Sequence, residues 1–217
     1  MTQKNGDQRT KAVIFDYGEV LCFPPTAEEI RRMAEVFGLE NGPFRKLYDK
    51  NRRAYDRGDL SAEQYWAAFA ADAGAQKPTP EQLNQLRAWD TAMWSKINHA
   101  MVEWMLALPG AGIKTAILSN MQEDMVNHVR RSFAWVEKFH CAVFSHEVRL
   151  AKPEAEIYQH CLRGLGTKPE ETVFIDDREP NVRAAKELGI QAIHLQSPEQ
   201  LQAELEARKF AILPRLT

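Results

Sequence analysis

Residues 12–15 read Ala-Val-Ile-Phe without a polar break and end on a carboxylate, Asp16, with Gly18 two residues later. An uninterrupted apolar run of strand length belongs in a sheet covered on both faces, the parallel kind. In open α/β sheets the ligand crevice lies at the carboxyl ends of such strands. Asp16 is therefore expected at the mouth of that crevice, and Gly18 is expected to form the turn that follows.

The rest of the chain divides into two rhythms. From Thr26 to about Ile97 it reads as helix after helix. The capping boxes Thr26-x-x-Glu29, Ser61-x-x-Gln64 and Thr79-Pro80-x-Gln82 each precede an apolar stripe at helical spacing. A further helix is expected from Pro43 to Tyr55. This insert is too long for one crossover helix, which predicts a helical domain over residues 23–97. From Ala100 onward helix and strand alternate. Strands are expected at 113–118, 142–144, 172–175 and 191–194, and a final helix is capped by Ser197-Pro198-x-Gln200. The predicted class is α/β, a Rossmann-like three-layer α/β/α core over residues 11–22 and 98–217 with an inserted helical cap.

Three predicted strands end in polar residues: Asp16, then Ser119-Asn120, then Asp176-Asp177. Parallel topology brings all three ends to one edge of the sheet. Lys152, in the loop after the 142–144 strand, can reach the same crevice. Three crowded carboxylates raise one another's pKa values, and a divalent cation removes that conflict. Oxygen-only ligands suit Mg²⁺, while the absence of His and Cys from these strand ends argues against zinc. An aspartate can attack phosphorus and split one hard step into two. Ser119 Oγ and the amides around Asn120 can hold phosphate oxygens, at a place where the start of the next helix further favours anions.

Composition excludes other classes. A net charge of −2 leaves no basic footprint for nucleic acid. Apolar residues at 44% and charged ones at 27% support a packed core rather than disorder. No segment approaches the roughly 20 apolar residues of a membrane span. The polar stretch Met1–Lys11 lacks the apolar core of a signal peptide, and Cys22, Cys141 and Cys161 show no C-x-x-C spacing. A cytoplasmic protein is expected, as a monomer or homodimer. The six histidines lack paired ligand spacing and read as structural, the insert's tryptophans read as packing anchors, and Arg52, Arg53 and Arg57 as a solvated helix face.

The ordered set Asp16-x-Gly18-x-Val20-Leu21, Ser119-Asn120, Lys152-Pro153 and Asp176-Asp177-x-x-x-Asn181 resembles the haloacid dehalogenase superfamily of hydrolases. Within it the chain is most similar to bacterial sugar phosphatases of the α-D-glucose-1-phosphate phosphatase type. Those share the Asp-x-Gly-x-Val motif and a cap turn like Asp56-Arg57-Gly58-Asp59-Leu60-Ser61. The resemblance implies Asp16 as nucleophile and Mg²⁺ ligand, with a second ligand from the Gly18 carbonyl. It further implies direct ligation by Asp177, assistance through water from Asp176, and phosphoryl binding by Ser119 and Asn120. Lys152 would neutralise charge and steady Asp16, and Asn181 would brace the acidic pair. The substrate class is then a small phosphorylated metabolite.

One departure stands out. Most phosphatases of this superfamily carry a second aspartate, the general acid and base, where this chain has Gly18. Glu19 is the sequence's candidate replacement. The alternatives are a metal-independent 2-haloacid dehalogenase, against which Gly18 and Asp176-Asp177 both speak, and a non-hydrolytic scaffold.

Overall fold

The structure is a computed structural model that describes residues 10–208; residues 1–9 of the polar N-terminal stretch lie outside the described residues. In chain order the elements are β1 (Ala12–Phe15), α1 (Ala27–Glu35), α2 (Asn41–Lys50), α3 (Arg52–Arg57), α4 (Ala62–Ala73), α5 (Pro80–Met93) and α6 (His99–Ala107). They continue with β2 (Lys114–Ser119), α7 (Glu123–Ser132), β3 (Cys141–Phe144), α8 (Ser145–Val148), α9 (Ala155–Leu165), β4 (Thr172–Asp176), α10 (Glu179–Glu187), β5 (Gln191–His194) and α11 (Pro198–Ala207). The strands form one parallel sheet in the order β3-β2-β1-β4-β5, with β1 in the middle.

The apolar run of β1 is buried along its whole length because its side chains feed two separate cores. Val13 and Phe15 join Ile117, Val173 and Ile175 against α6, α7 and α11. Ala12 and Ile14 join Leu118, Val143 and Phe174 against α9 and α10. Side chains alternate across a strand, so each face carries its own layer of helices. This is the expected α/β/α core.

A third cluster draws its buried residues from positions 30–93 alone. It is held by aromatic packing: Phe37 and Phe69 have ring centroids 4.5 Å apart, and Tyr55 stacks on Tyr65 at 4.5 Å. The three predicted capping boxes of the insert all form. The helix expected at 43–55 is two helices instead, broken at Asn51 (φ −110°, ψ 8°). Asparagine competes with the helix for its own backbone, which makes it a natural break point. At Ser197 the box closes differently, since Gln200 accepts from Gln196 N rather than from the cap residue.

The chain leaves and re-enters the sheet unit side by side. Phe23 N donates to Lys96 O at 2.7 Å and Asn98 N to Leu21 O at 2.9 Å, with Cys22 bridged antiparallel to Ile97. Among the described residues, no helix is long and apolar enough to cross a membrane.

Candidate active site

Register alone brings the first two carboxylates together. Phe15 is level with Ile175, and Asp16 N donates to Ile175 O at 2.9 Å, so Asp16 and Asp176 end neighbouring strands at one height. Lys152 enters from the loop after α8 with only 2% of its surface exposed. Its Nζ lies 2.8 Å from Asp16 Oδ1 and 2.7 Å from Asp176 Oδ2. Asn120 fixes the lysine's backbone from both sides: Lys152 N donates to its Oδ1 at 2.8 Å, and its Nδ2 donates to Lys152 O at 2.9 Å. The carboxamide of Asn120 is thus committed to bracing Lys152, and its backbone amide is what it can offer an anion.

Asp176 is fully buried and saturated with donors. Besides Lys152 it accepts from Arg178 N at 2.8 Å and from Asn181 Nδ2 at 3.0 and 3.1 Å. Asn181 therefore braces Asp176, the first residue of the acidic pair. Asp177 is half-buried, and its carbonyl receives a 2.7 Å bond from His194 Nε2, which fixes the proton on that nitrogen. Ser119 is buried at the end of β2. The first turn of α7 is satisfied from within: Gln122 Oε1 accepts from Asp124 N and Met125 N. Those two amides are therefore already taken, and the phosphate expected at Ser119 and Asn120 would gain from this helix start through its dipole.

One carboxylate oxygen from each of Asp16, Asp176 and Asp177 falls in a single group within 4.8 Å. Three carboxylates face one ammonium. Burial, Asp176 and Asp177 together raise the Asp16 carboxyl despite the opposing pull of Lys152. Burial, with Asp176 and Glu19, raises Asp177 as well. Burial works against the charge on Lys152, but the two aspartates outweigh it and hold the ammonium protonated. The surplus of negative charge and the all-oxygen donor set fit a hard divalent cation.

Above the cluster lies a cavity of about 300 Å³, lined by Asp16, Ser119 and Lys152 below and by Arg52, Asp56 and Trp94 of the insert above. Gly18 is not the left-handed turn residue; Glu19 is (φ 55°), a conformation that costs a non-glycine roughly 1–2 kcal/mol. Gly18 lies in the same turn beside the Trp94 ring, where a Cβ would stand 3.6 Å from that ring, an ordinary contact distance. Glu19 is exposed at the cavity's edge.

The family profile of haloacid dehalogenase-like hydrolases matches residues 10–189. The chain belongs to that family. Among curated relatives, this hydrolase is 35% identical over 209 residues to a phosphorylated carbohydrates phosphatase of Thermotoga maritima, with 94% of each chain covered. It is 27% identical over 214 residues to bifunctional epoxide hydrolase 2 of Sus scrofa, covering 90% of this chain but only 38% of that protein's length. Its fold matches a HAD family enzyme of Bacteroides thetaiotaomicron crystallised with magnesium and inorganic phosphate. That match has a TM-score of 0.69 and 24% identity, and covers 86% of this chain and 94% of the other.

Several residues around the hydrolase's site were not legible as such in the sequence. Arg52 is no solvated face residue. It donates to Asp56 Oδ1 at 2.9 Å and to Asp90 at 2.9 and 3.0 Å, and lies over the Tyr48 ring at 4.7 Å. Arg53 and Arg57 reach across to Glu154 of the sheet unit at 2.5 and 2.8 Å. Trp94 is a cavity wall as well as a packing residue. Buried Ser145 ties both units together, accepting from Met121 N at 2.9 Å and donating to Asp56 O at 2.6 Å. The Asp56–Ser61 cap turn was the available signal for this region; nothing in the spacing marks Ser145 or His194.

Proposed function

We propose that this hydrolase is a Mg²⁺-dependent phosphomonoesterase that takes the phosphoryl group of a small phosphorylated metabolite onto Asp16 and then passes it to water. The observation that carries the reading is the Lys152 ammonium lodged between Asp16 and Asp176, with Asp177 in the same cluster and buried Ser119 lining the cavity beside it. Asp16, Asp177 and the Gly18 carbonyl would hold Mg²⁺, and Asp176, its lone pairs taken by protein donors, would assist through water. When bound, the cation supplies positive charge that lets a phosphate approach carboxylates.

The chain's own residues do the rest. Asp16 is the nucleophile; Lys152 opposes the rise that burial and the neighbouring carboxylates impose on its pKa. The ionised form of Asp16 would be favoured further by the bound cation, and Lys152 offsets charge on the transferring group. Ser119 Oγ and the Asn120 amide bind the phosphoryl oxygens. Residues 23–97 act as the cap and residues 11–22 with those from 98 onward as the catalytic core (209–217 lie outside the described residues), joined by the paired linkers at Cys22 and Ile97. The cap selects the leaving group and excludes bulk water while the acyl phosphate exists.

The phosphatase relative and the Asp16-x-Gly18-x-Val20 motif support a sugar phosphate as substrate, of the α-D-glucose-1-phosphate type. Three free cysteines support a reducing, cytoplasmic setting, as monomer or homodimer. A non-hydrolytic scaffold is the second reading, favoured by Gly18 and the Trp94 ring beside it. The test is phosphate release from p-nitrophenyl phosphate. It is expected with Mg²⁺, and lost with chelator and in Asp16→Asn by roughly 10³-fold or more. Hydrolysis that survives the substitution would overturn the proposal.

A further inference from the structure

The phosphatase reading leaves one role open. Expelling an alkoxide from a sugar phosphate needs a proton donor, and Gly18 leaves no carboxyl where the superfamily usually has one. Among the described residues, the carboxylates lining the cavity are Asp16, Asp177, Glu19, Asp49 and Asp56. Asp16 and Asp177 belong to the proposed nucleophile and cation site. Glu19 and Asp49 are exposed, so nothing holds them at one geometry. Asp56 differs on each count. Its residue is 6% exposed, Arg52 Nε holds its Oδ1 at 2.9 Å, and its carbonyl is fastened by Ser145. That same Ser145 hydroxyl accepts from Met121 N, two residues beyond Ser119. The carboxyl is thus fixed relative to the loop that would hold the phosphoryl group.

We propose that Asp56, carried on α3 of the insert, is the general acid and base of the reaction, standing in for the carboxylate that Gly18 lacks. The assignment rests on the phosphatase reading. In the first step Asp16 bonds to phosphorus and the ester P–O bond breaks. Its electron pair goes to the leaving oxygen, which takes the proton from the Asp56 carboxyl. In the second, the Asp56 carboxylate takes a proton from water as that water's oxygen bonds to phosphorus. The bond to Asp16 then breaks and inorganic phosphate leaves, with both aspartates restored.

The environment suits this role. Burial pushes Asp56 up to about 6; Arg52 on the same helix and Arg178 ahead of α10 oppose the rise, and Asp90 of α5 adds to it. A group that titrates near working pH can both give and take a proton. Two carboxylates share one guanidinium here. Asp90 also receives the Tyr48 hydroxyl and Gln122 Nε2.

The test compares an alkyl ester, glycerol phosphate, with p-nitrophenyl phosphate, whose leaving group needs no proton. Asp56→Asn keeps the acceptor for Arg52. It is expected to lower kcat on the alkyl ester by about 10²–10⁴-fold and on the aryl ester by less than about tenfold. In the wild type, kcat/KM for the alkyl ester should fall as pH rises through about 6, a limb that the aryl ester lacks; this profile serves if the variant does not fold. Equal losses on the two esters, no loss on either, or identical pH profiles would overturn the assignment. A wild type inactive on both esters would instead overturn the phosphatase reading beneath it.

Discussion

The sheet edge and the interior of the insert solve the same electrostatic problem in opposite ways. At the sheet edge one ammonium, Lys152, serves Asp16 and Asp176 while Asp177 stands beside them, so negative charge is left over. In the insert one guanidinium, Arg52, serves Asp56 and Asp90 with help from the Tyr48 hydroxyl and the Gln122 amide. There the surplus is small enough to be met by one proton on Asp56. The first cluster carries negative charge that a cation from outside would neutralise, as the proposed function requires; the second is nearly closed. The first cluster leaves charge for groups from outside to neutralise, whereas the second leaves a single proton, the one proposed for Asp56.

Removing each cation tests that contrast most severely. Lys152→Met and Arg52→Met each strand two buried carboxylates, and each is expected to cost about 3–5 kcal/mol in denaturant unfolding. Their activities should diverge. Lys152→Met is expected to lose p-nitrophenyl phosphate hydrolysis by roughly 10³-fold, whereas folded Arg52→Met should retain it within about tenfold because that ester needs no acid. Equal losses would mean the two clusters are not functionally distinct.

A smaller effect reads the proton on Asp56. A carboxyl whose folded pKa is raised stabilises the fold fully below its unfolded pKa, and that contribution is lost as pH rises through the folded value. Between about pH 4 and about 6 the wild type should therefore lose on the order of 3 kcal/mol relative to Asp56→Asn, and the difference should level off above that. A pH-independent difference would place no proton there.

The smallest expected effect lies on the seam between the two regions. Glu154 holds Arg53 and Arg57 of the insert through partly exposed pairs. Glu154→Gln should change stability by less than about 1 kcal/mol. A severalfold rise in KM with little change in kcat is expected if those pairs help hold the insert over the site.

The two regions also differ in how far the sequence exposes them. The sheet was legible because β1 and the later parts of β2 (residues 116–118) and β4 (residues 173–175) are apolar runs leading into Asp16, Ser119 and Asp176, and topology carries those ends together. The insert's helices were legible through their capping boxes. Its buried charges were not, because Arg52, Asp56 and Asp90 sit on α3 and α5 at positions where a charged residue ordinarily faces water. Only the break at Asn51 and the packing of Tyr48, Tyr55 and Tyr65 turn Arg52 inward. Gly18 lies in the turn expected after β1, but the left-handed conformation within that turn falls to Glu19, which nothing in the sequence marks.

The most direct test of the central claim is to mix enzyme and phosphate ester with Mg²⁺, quench in acid within a turnover, and map the peptides by mass spectrometry. The account predicts a phosphoryl group on the peptide carrying Asp16, rising and decaying with turnover and absent from Asp16→Asn. Phosphate release with no adduct on that peptide, continuing after the substitution, would contradict it.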